Sequence, residues 1–305
     1  MRRDLLDLLI CPACLPAEKP LAATLRDVRD DEVVTASLVC PKCRAVYPVS
    51  DGLATLLPAG APEDRYASSS RLAGYLWSHY ADLDGDPDAH RAFPAWRSVL
   101  AGAGGPVLDA GCAVGRLCFE LARQAELVVG IDRAAGFVMA ARSLARDGQL
   151  GYELISEGEL CETRTVRLPA GLPRDRVEFL VADAMALPFP SGLFGTTTSL
   201  NLVDRVPLPR LHLAELNRVA RQAGAALLLA DPWSWAAGPA QPEEWLGGRR
   251  SGPGAGIGRD NVRRLLERHR TFAWRVTDSG RVAWTIRHHR NHFELIYSDY
   301  LLARR

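Results

Sequence analysis

The chain has 305 residues, 48% of them apolar, and a formal net charge of +1, which is enough for one large α/β domain plus a small module. No run approaches the roughly 20 apolar residues of a membrane-spanning helix, and so small a net charge gives a nucleic-acid partner weak support. The opening "MRRDLLDLLICPAC" is too short in its apolar part for a signal peptide and has no small-residue cleavage site, so the expectation is a cytoplasmic protein with no membrane attachment.

Residues 1–57 read as one unit. "LLDLLICPACL" predicts a short apolar helix running into a first knuckle. "LVCPKCRAVYPVSDGLATLL" predicts a second knuckle, a strand, a Ser-Asp-Gly turn and another strand. Cys11 and Cys14 form one Cys-x-x-Cys pair, Cys40 and Cys43 the other. In a reducing compartment two matched pairs point to metal and not to disulfides. Four thiolates close a tetrahedral structural Zn²⁺ site with no open position for chemistry. Cys112, Cys118 and Cys161 are scattered and receive no role. This segment resembles the small zinc-ribbon family that activates and stabilises methyltransferases of tRNA, rRNA and release factors. The likeness rests on "LLDLLICPACLPAEKPL", "LVCPKCRAVYPVSDGL" and the "LLP" exit. It implies a partner module for a methyltransferase, here fused in cis.

Residues 58–70, "PAGAPEDRYASSS", read as a Pro-, Ala- and Ser-rich linker, with a larger domain over 71–305. "RLAGYLWSHYADLDGD" has helical spacing of Leu72, Tyr75, Leu76 and His79. From residue 106 strands and helices alternate: "PVLDAGCAVG", "LVVGIDRA", "VEFLVADAMAL", "LFGTTTSLNLV" and "AALLLADPWSW" are strands. "RLCFELARQA" and "PRLHLAELNRVARQAG" are helices, the latter with Pro209 near its start and Gly224 past its end. This alternation predicts an α/β fold of Rossmann-like type, a parallel sheet covered by helices on both faces, plus the zinc ribbon. Residues 249–305 carry 13 basic and 5 acidic groups. They read either as a solvated Arg-bearing helix face or as a basic rim over a site that takes an anion.

The glycine-rich turn after the first of these strands carries Asp109, Gly111, Ala113 and Gly115. Such a turn lets backbone N–H groups approach a ligand at a helix N-terminus. The second strand ends in Asp132, 17 residues past Gly115, placed to accept from ribose hydroxyls; Arg133 follows. The third ends in Asp183 and Ala184, placed near an adenine edge. Acidic residues ending three successive strands make one crevice at the carboxyl edge of the sheet. A nicotinamide dehydrogenase would show G-x-G-x-x-G, whereas this chain has "GCAVGR".

The order "D-x-G-x-x-x-G", "GID", "ADA" resembles the class I S-adenosylmethionine-dependent methyltransferases, which implies that cofactor, bound by these residues together with Asn201. A narrower resemblance runs the length of the domain, to the 4-mercaptohistidine N-methyltransferase domain of ovothiol biosynthesis. It is carried by "YLWSHY", "LDAGCAVGRLCFELAR", "VVGIDRAAGFVMAAR", "YELISEGEL", "RVEFLVADAMAL", "NLVDRV", "DPWSW" with "EEWLGG", and "IRHHRNHFELIYSDYLLARR". It implies a small histidine-derived imidazole as substrate and methyl transfer to a ring nitrogen. Neutral imidazole suits this, having a lone pair near pH 7.

Within "SLNLVDRV", Asp204 and Asn201 are the candidate catalytic residues. Asp204 would accept a ring proton or pair with a substrate ammonium, and Arg205 would hold a carboxylate bidentately. A local ion pair or helix cap is the alternative for Asp204 and Arg205, and a buried hydrogen-bonded amide for Asn201. Tyr75, His79 and Tyr80 would line the substrate site from the helix before the sheet, with Trp233 and His289 contributing from later segments; core packing is the alternative for the Tyr and Trp residues. His288, His289 and His292 resemble a metal cluster only by composition. Three rival readings remain: an RNA or protein methyltransferase with a fused activator, a small-molecule S-methyltransferase, and a non-catalytic scaffold.

Overall fold

The computed structural model describes residues 1–58, 60, 68–102 and 104–305. Most of the expected linker, residues 59 and 61–67, lies outside the described residues. The N-terminal apolar segment forms two short 3-10 turns, Arg3–Leu8 and Pro12–Cys14, instead of a regular helix. They lead into strands β1 (Ala22–Arg29), β2 (Glu32–Val39), β3 (Val46–Ser50) and β4 (Leu53–Leu56). Helices α1 (Ser69–Tyr80) and α2 (Ala92–Val99) follow. Then come β5 (Val107–Ala110), α3 (Arg116–Leu121), β6 (Val128–Asp132) and α4 (Ala135–Asp147). The "YELISEGEL" insertion is a hairpin, β7 (Gln149–Glu157) and β8 (Leu160–Arg167). The chain continues through β9 (Val177–Ala182), β10 (Thr196–Leu200), α5 (Pro209–Val219), β11 (Ala226–Asp231) and α6 (Gly258–Arg268). It closes with a long hairpin, β12 (Arg275–His289) and β13 (His292–Arg304).

Eleven strands form one sheet in the order β1-β2-β3-β4-β9-β6-β5-β10-β11-β13-β12. Its centre is parallel, β9, β6, β5, β10 and β11. β5, β6, β9 and β11 are mostly apolar because helices cover both faces, and β9 and β11 are buried along their whole length; β10, Thr196–Leu200, is rich in Thr and Ser yet buried over Thr196–Ser199. β13 runs antiparallel to β11 and β12 antiparallel to β13. On the other edge the ribbon strands form an antiparallel meander in which alternate residues, such as Tyr47 and Val49 of β3, turn inward.

The sheet runs without a break through the boundary expected near residue 57. β4 pairs in parallel with β9, Thr55 opposite Val181 and Leu56 opposite Ala182. Ribbon residues Met1, Leu5, Leu9 and Leu38 share one apolar core with Leu180, Leu213 and Leu216 of the larger domain. Polar ties reinforce the join: Arg2 N–H donates to Glu178 (2.7 Å), and Glu18 accepts from Ser191 N–H (2.9 Å) and Arg218 (3.0 Å).

Candidate active site

Above the carboxyl ends of β5, β6, β9 and β10 lies a cavity that, with its mouth, encloses about 1330 Å³ of open space. The turn after β5 forms its floor. Gly111 and Gly115 both adopt left-handed backbone, φ +81° and +83°, a conformation cheap only for glycine. A Cβ on Gly115 would meet the Phe179 ring at 2.7 Å, so the turn can lie against the sheet only with glycine there. Gly115 serves that packing and does not line the cavity, whereas Asp109, Gly111 and Ala113 do.

Asp132 is held in place by two backbone donors, Ala113 N–H at 3.0 Å and Ala134 N–H at 2.9 Å. Asp183 accepts from Met185 N–H (2.8 Å) and pairs with Arg133 (3.4 Å). Asp132, Arg133, Asp183 and Ala184 all line the cavity. Asp109 is buried, which raises its carboxyl to about 6 although Thr198 and Cys118 donate to it; the nearby Asp132 charge adds to the rise. Its hydrogen bond to Thr198 Oγ1 is 2.6 Å, so the group braces β5 against β10 as well as facing the cavity.

The opposite wall is aromatic. α1 contributes Tyr75 and His79, α2 Phe93 and Trp96, α4 Phe137, and β12 Trp284. The His79 ring lies 4.3 Å from that of Phe93 and 5.8 Å from that of Tyr75. Its Nδ1 is buried with no hydrogen-bond partner among the described residues. Burial, with the Arg116 guanidinium nearby, drives its pKa down to about 3, so it is neutral near pH 7. Asn201, Leu202 and Arg205 complete the lining where β10 ends. Sequence reasoning passed over α2 and Trp284; alternation in "RVAWTIRHH" was the signal that could have placed Trp284 on an inward face.

Besides Gly115, four expected site residues lie off the cavity lining. Tyr80 is buried and donates to Val114 O (2.7 Å), fixing α1 to the turn before α3. Asp204 is fully buried; it accepts from Ser234 N–H (2.6 Å) and pairs with Arg205 Nε (3.1 Å). That is the local ion pair left open as the alternative. Its neighbour is Asp231, whose carboxyl accepts from Asp204 N–H (3.3 Å) and Trp233 N–H (2.8 Å). Burial and the Asp204 charge raise Asp231 well above the usual carboxylate range. Trp233 has a left-handed backbone (φ +57°) and packs its ring toward Trp235 and Gly258. His289 stands at the tip of the β12–β13 hairpin, its ring 5.4 Å from His292.

In the ribbon, Cys11 Sγ lies 3.6 Å from Cys43 Sγ and Cys14 Sγ 3.7 Å from Cys40 Sγ, with all four sulfurs within 4.8 Å of one another. A tetrahedral zinc thiolate centre with Zn–S near 2.3 Å has S···S edges of about 3.8 Å, so the four cysteines fit zinc. Among the described residues this is the one such cluster. None of residues 1–58 lines the cavity.

Residues 108–228 match the family model described as a methyltransferase domain, and residues 2–52 match that of the Trm112p-like proteins. No curated protein matches the chain by sequence. Similar solved structures include magnesium protoporphyrin IX methyltransferase from Synechocystis with bound SAM, at 18% identity over 81% of this chain and 87% of that one, TM-score 0.43. A SAM-dependent methyltransferase from Methanosarcina mazei is 19% identical over 68% and 95%, TM-score 0.45. A complex containing the Haloferax volcanii Trm112 methyltransferase activator is 18% identical over 56% and 62%, TM-score 0.37. Among the described residues no helix is long and apolar enough to cross a membrane.

Proposed function

We propose that this chain, which is an S-adenosylmethionine-dependent methyltransferase with a Trm112p-like ribbon suited to structural zinc, methylates a ring nitrogen of a small histidine-derived imidazole. The observation that carries a small-molecule acceptor is the cavity itself: acidic strand ends on one side, and on the other an aromatic wall containing a neutral imidazole whose Nδ1 has no partner among the described residues. The imidazole class rests on the sequence resemblance across residues 71–305.

The residues present fit the cofactor. Asp132, pre-set by two backbone donors, would take ribose hydroxyls, and Asp183 with Ala184 would take the adenine edge. Asp109, Gly111 and Ala113 would surround the amino-acid end, with Arg133 at the rim, while Asn201 lies where the acceptor would enter. When bound, S-adenosylmethionine supplies a methyl on a sulfonium, an electrophile that needs no further activation. What remains for the chain is to orient a nucleophile, exclude water and manage one proton.

Tyr75, Phe93, Trp96 and Trp284 present flat apolar surface to a planar ring. His79 accepts or donates one hydrogen bond without carrying charge. Arg205, partly exposed at the cavity, offers its guanidinium to a substrate carboxylate while Asp204 steadies its Nε from behind. Asp204 is therefore a positioning residue for Arg205 in this reading, and Asp204→Asn is expected to raise acceptor KM more than cofactor Kd. Equal losses in both would count against it.

A macromolecular acceptor is the second reading, favoured by the ribbon and by exposed Arg263, Arg264 and Arg268 on α6. The test is incubation with methyl-labelled cofactor and a panel of histidine, ring-thiolated histidines, small imidazoles and RNA, with the label located by mass spectrometry. Label on an imidazole nitrogen is expected. Label on sulfur, or on RNA alone, would overturn the proposal in favour of the corresponding rival.

A further inference from the structure

We infer that Ser298 and Trp284, both on the C-terminal hairpin, are positioning residues that turn the Asn201 amide so that its NH₂ group serves the methyl acceptor. Asn201 thereby selects an acceptor presenting a lone pair or negative charge. This rests on the small-molecule reading of the cavity.

The chain of donors fixes the amide's orientation. Trp284 Nε1 donates to Ser298 Oγ at 3.1 Å, and Ser298 Oγ donates to Asn201 Oδ1 at 2.5 Å. An indole N–H is donor only, so the hydroxyl accepts from it and its own proton goes on to Asn201. The amide oxygen is thus occupied by Ser298, and the Nδ2 protons are left on the other side of the group. Among the described residues none accepts from Nδ2, while Asn201 itself lines the cavity.

The backbone allows no easy escape. Asn201 is left-handed, φ +55°, a conformation asparagine tolerates better than most residues, and its N–H is held by Ala230 O at 2.7 Å. Ser298 is fully buried and Trp284 nearly so. The three residues come from β12, β13 and the end of β10, so hairpin docking and amide orientation are one event. An NH₂ donor facing the acceptor favours a carboxylate, a carbonyl or a thiolate, and disfavours an imidazolium or ammonium. On an imidazole acceptor it would engage such a substituent and leave the lone pair of the neutral ring nitrogen free to attack.

Steady-state kinetics of the full chain with labelled cofactor and a ring-thiolated histidine test this, with S-adenosylhomocysteine affinity by calorimetry as the control. Ser298→Ala is expected to raise acceptor KM about tenfold, the scale of one lost hydrogen bond, with S-adenosylhomocysteine Kd changed less than about twofold. Ser298→Thr, which restores the hydroxyl, should bring KM back toward wild type. Trp284→Phe keeps an aromatic ring of smaller size and removes the donor, and should raise KM by a smaller factor even if Ser298→Ala does not fold. Unchanged KM in Ser298→Ala or Trp284→Phe, or a parallel loss of S-adenosylhomocysteine affinity, would overturn the inference. Wild-type enzyme that binds S-adenosylhomocysteine but methylates no imidazole would overturn the parent reading, and this one with it.

Discussion

His79 and His212 are imidazoles kept neutral by burial. His212 bridges Ser199 Oγ (2.8 Å) and Ala184 O (3.1 Å), tying β10 and α5 to the exit of β9. Burial lowers its pKa to about 4 from 6.5, against a pull from the Ala184 carbonyl; His79 falls to about 3. Both folded values lie below the unfolded one, so the folded state binds fewer protons. The stability they contribute is complete above about pH 6.5 and is lost as pH falls toward 4 and then 3. Asp109 and Asp231 shift upward and act in the opposite sense, favouring the folded state at lower pH. The contribution of His212 is therefore read as a difference: Tm of wild type should fall more steeply than that of His212→Gln between about pH 6.5 and pH 5. Parallel curves would show that His212 titrates as it does unfolded. At the cofactor side, Asp132→Ala should weaken S-adenosylmethionine binding by about tenfold or more, read by calorimetry. Asp132 and Asp183 were legible because strand-end carboxylates after apolar runs leave a clear sequence mark. For Tyr80 and Asp204 the sequence left a site role and a packing or ion-pair role both open, since the choice depends on contacts made to Val114 and Ser234 in space.

At the scale of elements, the roof of the cavity hangs on Arg116. It is almost fully buried at the start of α3 and pairs with Asp82 (2.9 Å) and Glu120 (2.9 Å), while donating to His79 O at 3.0 Å. These bonds tie the end of α1, and with it His79, to the turn that floors the site. Removing one member of a buried charged set costs on the order of 3 kcal/mol. Arg116→Met is therefore expected to lower Tm by several degrees and to raise acceptor KM, whereas Arg123→Met, at a half-exposed neighbour of Glu120, should do neither. If Arg116→Met were neutral in both, α1 would be held by packing alone. Central strands and α5 were legible from apolar runs, Pro209 and Gly224. The β12–β13 hairpin was only partly so: its Arg-rich face masks the inward alternation of Trp284, and its pairing with β11 brings residues 226 and 304 opposite each other, a separation no local pattern encodes.

Over the whole molecule, the ribbon is an edge of the catalytic sheet. The set of motifs in residues 1–57 reads as a separable module, yet β4 pairs with β9 and the ribbon's apolar residues enter the shared core. The join depends on β9 presenting a free edge, which is a property of strand order and invisible in either segment alone. One consequence is mechanical coupling: Cys40→Ser, or zinc removal by a chelator, should lower the Tm of the entire chain in a single transition. Two separate transitions would mean that the ribbon folds and melts on its own. The ribbon also abuts β9, which leads into Asp183 at the cavity, while none of residues 1–58 lines that cavity.

A crystal structure of the chain with S-adenosylhomocysteine bears most directly on where the chemistry happens. The ribose should lie on Asp132, the adenine beside Asp183, and the sulfur toward Asn201 and the aromatic wall of α1, α2 and β12. The adenosyl group lying outside this cavity, or its sulfur turned away from Asn201 with no open space beyond it, would contradict the assignment.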